Sequence, residues 1–278
     1  MGDAASALRE AAQSLSETSE SPRLDAELLM AHALQIDRSE LLLKLPELIA
    51  PVEFSALVER RQKSEPIAHI TGMKEFWGLD FQVTPDVLIP RPDSELLIEE
   101  AVRLFASAQP QRIADLGTGS GALVLAALHE FPEARGLGMD SSAAALQIAH
   151  NNADSLGLAD RASFLLLDWT AADWTSALGS GFDLVLANPP YVSTLAPLSA
   201  DVAGFEPHQA LFAGADGLDD YRIIIPALEK LLSPSGIALL EIGFDQANPV
   251  SKIATDSGYH VELKQDLGGN DRLLALRR

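Results

Sequence analysis

The chain changes its hydrophobic period once. Its first seventy-odd residues place apolar side chains at helical spacing. Behind Ser21 as N-cap, Pro22 opens a predicted helix with Leu24, Leu28 and Ala31 on one face. A second helix starts at Pro51, with Phe54, Leu57 and Val58 as its stripe, and a short one between them stops near Pro46. Residues 74–92 differ. Aromatic and β-branched residues flank Gly78 and Asp80, which predicts a hairpin. A helix capped by Asp93 or Ser94 follows, with Leu97, Ala101 and Leu104 facing inward. From residue 112 short apolar runs (112–116, 136–140, 162–167, 182–187, 236–242) alternate with helical stretches (122–131, 142–156, 219–232, 245–257). That alternation predicts an α/β fold, a mostly parallel sheet with helices on both faces. Two β-like runs around Gly268 and Gly269 add an antiparallel hairpin at the sheet edge. The expected organisation is a small all-helical N-terminal domain (1–73), a β-hairpin linker (74–92) and an α/β domain (93–278).

Composition narrows the function classes. The 278 residues carry a formal charge of −20, with −5 on residues 1–75 and −15 on the remainder. No run of Lys and Arg exceeds two, so a platform for nucleic-acid phosphates is not expected. There is no 18-residue apolar run, and the acidic start lacks an apolar leader core; a cytoplasmic protein without membrane contact is expected. Gly2 with Ser6 fits the loose N-myristoylation pattern. The absence of cysteine excludes disulfides, thiolate metal sites and thiol nucleophiles. His32, His69, His129, His150, His208 and His260 are scattered without a second ligand at helical spacing, so no metal site is expected.

Two segments carry candidate chemistry. The first predicted strand runs into Asp115-Leu116-Gly117-Thr118-Gly119-Ser120-Gly121 and a helix follows. Glycines allow a sharp turn and a close backbone approach to a ligand, and the helix start offers free N–H groups. Asp140 ends the next strand, where a carboxylate can accept both ribose hydroxyls of a nucleoside. Three readings fit the loop: a dinucleotide site through Gly117, Gly119 and Ala122, a turn without ligand, or an S-adenosylmethionine site. In the last, Asp115 anchors the loop or meets the methionine ammonium.

The second segment is Asn188-Pro189-Pro190-Tyr191 at the end of the strand 182–187. Two prolines fix the backbone and remove two donors. The Asn188 side-chain oxygen and the Pro189 carbonyl can accept both hydrogens of one planar NH2 group, and Tyr191 can stack on its plane. A carboxamide or exocyclic nitrogen is a poor nucleophile because its lone pair is delocalised. Acceptors that hold its hydrogens toward the pyramidal geometry favour transfer of a methyl group to it.

With IPRPDSE (89–95), the glycine loop, Asp140, Asp168-Trp169, Asn-Pro-Pro-Tyr and FEPHQALFAGADGLDDYR (205–222), the chain resembles the PrmC/HemK family of release-factor glutamine N5-methyltransferases, in the Rossmann-like class I S-adenosylmethionine-dependent fold. Departures are small: Ser94 and Ser120 stand where Thr is common, and Val192 where Ile is usual. The resemblance implies that Gly117, Thr118, Gly119, Ser120 and Gly121 hold the methionine part of the cofactor and Asp140 its ribose. It places Trp169 beside the adenine, with Asp168 a weaker candidate for the adenine edge. Asn188, Pro189, Pro190 and Tyr191 would grip a glutamine amide, with Asn188 also near the cofactor. The implied substrate is the Gly-Gly-Gln glutamine of class I peptide chain release factors, bound with help from the helical domain, and a monomer is expected. An amino-methyltransferase of DNA or rRNA is the alternative, disfavoured by the charge. Glu206 is expected to shape a loop, Glu241 to bond a neighbouring backbone, and Phe76 and Trp77 to pack the hairpin as readily as to wall a pocket.

Overall fold

A computed structural model describes residues 3–278; Gly2 of the myristoylation pattern lies outside them. Contacts within the chain form two compact units. The first comprises residues 3–73 together with 198–206. It contains α1 (Ala4–Ser14), α2 (Pro22–Leu34), α3 (Arg38–Lys44), α4 (Phe54–Gln62), α5 (Ile67–Thr71) and, much later in the chain, α10 (Ala200–Phe205). Asp3 caps α1, its Oδ1 accepting the Ser6 N–H at 2.8 Å. Pro46 sits in a 3₁₀ turn, Leu45–Glu47, that ends α3. Leu8, Leu15, Leu29, Met30 and Leu41 are fully buried and form the core with Phe54.

The buried face of α2 differs from the expected stripe. Of that stripe Ala31 is buried and Leu28 half-buried, but Leu24 is 40% exposed, and Ala26, Leu29 and Met30 are buried instead. The cause is a pair of acids that the apolar pattern reads as solvent-facing. Asp25 and Glu27 are themselves buried, because arginines reach them. Arg61 on α4 donates to Asp25 at 2.7 Å, and Arg23 and Arg38 meet Glu27 at 2.5 and 2.8 Å. Removing one partner of such a pair strands a charge in low dielectric.

The second unit holds residues 74–197 and 207–278. It opens within the hairpin of β1 (Met73–Phe76), whose first residue belongs to the first unit, and β2 (Leu79–Gln82). Trp77 and Gly78 form its turn with φ of +56° and +72°, the left-handed pair that matches the twist of two antiparallel strands. Then come α6 (Glu95–Leu104), β3 (Arg112–Leu116), α7 (Ala122–Glu130), β4 (Arg135–Asp140), α8 (Ala143–Ser155), β5 (Ala162–Leu166), α9 (Trp174–Leu178) and β6 (Phe182–Ala187). After α10 follow α11 (Asp219–Leu231), β7 (Leu232–Glu241), α12 (Ala247–Asp256), β8 (His260–Gln265) and β9 (Asp271–Arg277). Among the described residues the seven-stranded sheet has the order β5-β4-β3-β6-β7-β9-β8, parallel up to β7, with β9 antiparallel between β7 and β8. The alternating face of each strand separates two apolar layers. Ile113, Leu184 and Leu239 pack with α6 and α7; Ala114, Val185 and Leu240 pack with α11 and α12.

Register positions the chemistry. Leu116 pairs with Met139 on one side and Ala187 on the other, and Ala187 pairs with Leu240. The next residues are Asp140, Gly117, Asn188 and Glu241, which therefore stand in a row at the carboxyl edge of the sheet.

One stability prediction follows from the first unit. Arg61→Ala should lower the unfolding free energy of the full chain by about 3 kcal/mol, the order found when one partner of a buried ion pair is removed. Arg61→Lys should cost less. Urea denaturation followed by circular dichroism measures both.

Candidate functional site

The glycine loop is anchored from below. The Gly117 and Thr118 N–H groups both donate to the Met139 carbonyl, at 2.9 and 2.8 Å. Asp115 is fully buried and its Oδ2 accepts the Thr118 hydroxyl at 2.6 Å. Its Oδ1 makes no hydrogen bond of good geometry, although the Val124 N–H lies close enough to favour the charged form. Burial pushes the Asp115 carboxyl up to about 7, against the opposing pull of Thr118. Of its two possible roles, the geometry supports loop anchor. Gly117, Gly119 and Gly121 have φ of +76°, +54° and +83°, a region that side chains rarely enter. A Cβ on Gly117 would stand 3.1 Å from the Trp169 ring.

A cleft of about 650 Å³ opens beside the loop. Gly117, Gly119, Asp140, Ser142, Trp169, Asn188 and Pro190 are among its walls, with Val87, Leu88 and Leu167 supplying apolar surface. A smaller cavity of about 420 Å³ shares Gly117, Gly119 and Asn188 with it and adds Thr118, Ser120, Ser94 and Phe76. Gly121 lies under the helix, where Leu125 and Ala149 would crowd a Cβ at 3.0 and 3.3 Å.

Asp140 is held by the Gly119 and Ser142 N–H groups, both at 2.9 Å and one to each oxygen. Each oxygen keeps a further lone pair for an incoming hydroxyl. Burial raises the Asp140 carboxyl above its ordinary value, and these N–H groups oppose the rise. Trp169 is fixed by its indole N–H, which donates to Asp220 at 2.7 Å. Asp168 spends an oxygen on the Thr170 N–H and hydroxyl, both at 2.7 Å.

The Asn-Pro-Pro-Tyr corner is braced on several sides. Asn188 Nδ2 donates to the Ser94 hydroxyl at 3.1 Å, and Ser94 Oγ donates to Glu241 at 2.5 Å. The Tyr191 hydroxyl turns to the other Glu241 oxygen at 3.3 Å. Burial, reinforced by Glu241, keeps that hydroxyl protonated. Gln246 Nε2 donates to the Tyr191 carbonyl at 2.9 Å, and the Val192 N–H donates to Leu211 at 2.8 Å. The segment 211–218 thus clasps the exit of the corner. Gly217 lies so close that a Cβ would sit 2.3 Å from the Tyr191 carbonyl.

The structure brings Gly117, Gly119, Asp140, Trp169, Asn188 and Pro190 around one cleft, with Thr118 and Ser120 at the adjoining cavity. Pro189 is buried within the corner and Tyr191 is half-buried with its hydroxyl turned to Glu241. Three side chains carry more than the sequence reading assigned. Ser94 does not cap α6 through its side chain; the Glu241 carboxylate bonds side chains rather than backbone; Asp220 orients Trp169. The rule that open α/β sheets present ligand-facing residues at strand carboxyl ends would have flagged Glu241. Phe76 is both hairpin core and cavity wall, and Trp77 bonds Glu130 at 2.8 Å through its indole. Glu206 belongs to the segment grouped with the helical unit. Among the described residues no cluster of three or more His, Asp or Glu could hold a metal ion, and no helix is long and apolar enough to cross a membrane.

A glycine turn at a strand end, an acid closing the next strand and a proline-braced corner beside them define a class I methyltransferase domain. Comparisons with known proteins agree. Residues 6–72 match the family described as PrmC N-terminal domain, and residues 109–264 match a methyltransferase domain. A release factor glutamine methyltransferase of Bradyrhizobium diazoefficiens is 40% identical over 93% of this chain and 89% of its own. One of Moorella thermoacetica is 42% identical over 93% of each chain. The solved ribosomal protein L11 methylase of Lactobacillus delbrueckii subsp. bulgaricus shares the fold, with a TM-score of 0.51 and 21% identity over 70% of this chain and 83% of its own. The chain belongs to the release factor glutamine methyltransferase family, whose cofactor is S-adenosylmethionine. The cleft fits that cofactor: it offers paired acceptors at Asp140, a flat apolar wall at Trp169 and a loop too tight for side chains.

The loop anchor gives a pH prediction. Folded Asp115 holds its proton up to about pH 7, whereas the unfolded chain releases it near the ordinary 3.8. Between those values the folded state binds the extra proton, so stability falls as pH rises. Glu241, also pushed up to about 7 by burial, adds a slope of the same sign. Asp115→Asn should therefore flatten, without abolishing, the decline of Tm between pH 4.5 and 7. Thermal denaturation across that range measures it.

Proposed function

We propose that this protein methylates the side-chain amide nitrogen of the glutamine in the Gly-Gly-Gln motif of class I peptide chain release factors. The observation that carries the reading is the meeting of Gly117, Asp140 and Asn188 in one cleft, beside a corner rich in acceptors. Bound S-adenosylmethionine would supply an electrophilic methyl group on a sulfonium. Gly117 through Gly121 would hold its methionine part, Asp140 its ribose hydroxyls and Trp169 its adenine face.

The chain's own contribution is to position and polarise the amide. Asn188 spends its nitrogen on Ser94 and keeps its oxygen for an incoming N–H. Pro189 adds a backbone carbonyl, and Pro190 and Tyr191 wall the plane. Two acceptors on one NH2 group pull its hydrogens toward the geometry of the attacking nitrogen, an interaction stronger in the transition state than in the ground state. The nitrogen's lone pair is thereby directed into the cleft, and the proton it sheds passes to water. Holding the two reactants in line supplies much of the rate. The helical unit would bind the body of the release factor, and an activity on that substrate would be cytoplasmic.

Purified release factor incubated with methyl-labelled cofactor should acquire label on that glutamine, located by mass mapping. Label in DNA or rRNA instead would overturn the reading. Asn188→Ala should lower kcat by about 10²–10³-fold, the cost of removing one preorganised polar contact, with cofactor affinity changed only a few-fold. Asp140→Ala should weaken cofactor binding by about 1–3 kcal/mol, since it leaves hydroxyls unpaired; isothermal titration measures this.

A further inference from the structure

We infer that Glu241 and Ser94 are positioning residues for the transfer: one chain of hydrogen bonds from a buried carboxylate sets which end of the Asn188 side chain faces the cleft. The inference rests on the proposed amide-methylating reading, and deepens it.

The two ends of an asparagine amide have nearly the same shape and opposite chemistry. With its oxygen toward the cleft, Asn188 accepts from a substrate NH2. Turned over, it would set donors against donors. Nothing in the corner's own four residues selects between these states. Hydrogen-bond polarity does. Glu241 is 1% exposed, and once ionised, above the value of about 7 to which burial pushes it, it only accepts. Ser94 has a single hydroxyl proton and sits 2.5 Å from Glu241 Oε2, a length typical of an O–H donating to an anion. At that distance two oxygens without a proton between them would repel. With Glu241 ionised, the proton between the two oxygens is the Ser94 hydroxyl's, and only lone pairs remain for Asn188. The amide must answer with its nitrogen, at 3.1 Å, and so presents its oxygen to the cleft.

The same carboxylate acts on the other end of the corner, where its Oε1 accepts the Tyr191 hydroxyl at 3.3 Å. Arg272 supplies the opposing charge nearby and is itself tied to Asp93 and Asp266. Ser94 stands in the 3₁₀ turn Pro92–Ser94 before α6, and Glu241 ends the strand beside β6. Ser94 stands in the wall of the smaller cavity and acts through Asn188; Glu241 acts through Ser94 on Asn188 and directly on Tyr191.

The test is a double-mutant cycle on the full chain. Ser94→Ala should lower kcat by roughly 10–100-fold, with KM for the release factor and the cofactor Kd within about threefold. Ser94→Thr, which keeps the hydroxyl, should restore kcat. In an Asn188→Ala background Ser94→Ala should have no further effect, because the two residues act as one unit. Equal losses in both backgrounds, or wild-type kcat in Ser94→Ala, would overturn the inference. A turnover-independent readout separates it from the functional reading. The Asn188 side-chain NH2 resonances in ¹H–¹⁵N spectra should exchange with water slowly in the wild type and at least about tenfold faster in Ser94→Ala. Slow exchange in both proteins, or fast exchange in the wild type, overturns the positioning role. If the exchange contrast holds but no glutamine is labelled, the role stands and the amide-methylating reading falls.

Discussion

The site depends on four parallel strands ending level with one another. Backbone pairing of β4, β3, β6 and β7 sets Asp140, Gly117, Asn188 and Glu241 abreast, although they are drawn from four separate stretches of chain. Side chains alternate with a period of two, so a slip of one residue in any strand would move its contribution to the opposite face. Two glycines in β4 help hold the level. A Cβ on Gly136 would lie 2.5 Å from Val124, and one on Gly138 would lie 2.7 Å from the Thr118 hydroxyl. Their bareness lets α7 and the glycine loop rest directly on the sheet.

Two carboxyl groups buried in this edge work out of contact with the cleft. Asp115 holds the loop through Thr118, and Glu241 holds the corner through Ser94 and Tyr191. Burying such groups is costly, and the cost is offset only where hydroxyls or cations answer them. The helical unit solves the same problem at Asp25 and Glu27 with arginines. In the catalytic unit the answering groups are mostly neutral hydroxyls, which fix direction as well as offset charge.

Where the sequence was legible, the reason was local. The strands at 112–116 and 182–187 coincide with short, mainly apolar runs, and the glycine loop and the Asn-Pro-Pro-Tyr corner are contiguous, so their chemistry can be read along the chain. Long-range pairs could not be. Ser94 and Glu241 are 147 residues apart, and Trp169 and Asp220 are 51 apart. The face of α2 is only partly legible, because paired acids can be buried as well as leucines. Strand β7 begins at Leu232, earlier than its apolar run, since Ser233-Pro234-Ser235-Gly236 reads as a turn. The helices 174–178 and 200–205 are too short to show a period.

The prolines of the corner have one more consequence. Pro189 and Pro190 carry no N–H, and the Asn188 nitrogen is turned to Ser94, so the corner is rich in acceptors and poor in donors toward its guest. An amide answers oxygen with hydrogen. A glutamate side chain, which differs from glutamine by a single group, would bring lone pairs against lone pairs and a negative charge into a chain that already carries twenty in excess. Under the proposed reading, a release factor whose glutamine had hydrolysed to the acid would be turned away at the corner, and the methyl mark would report that the amide beneath it is intact.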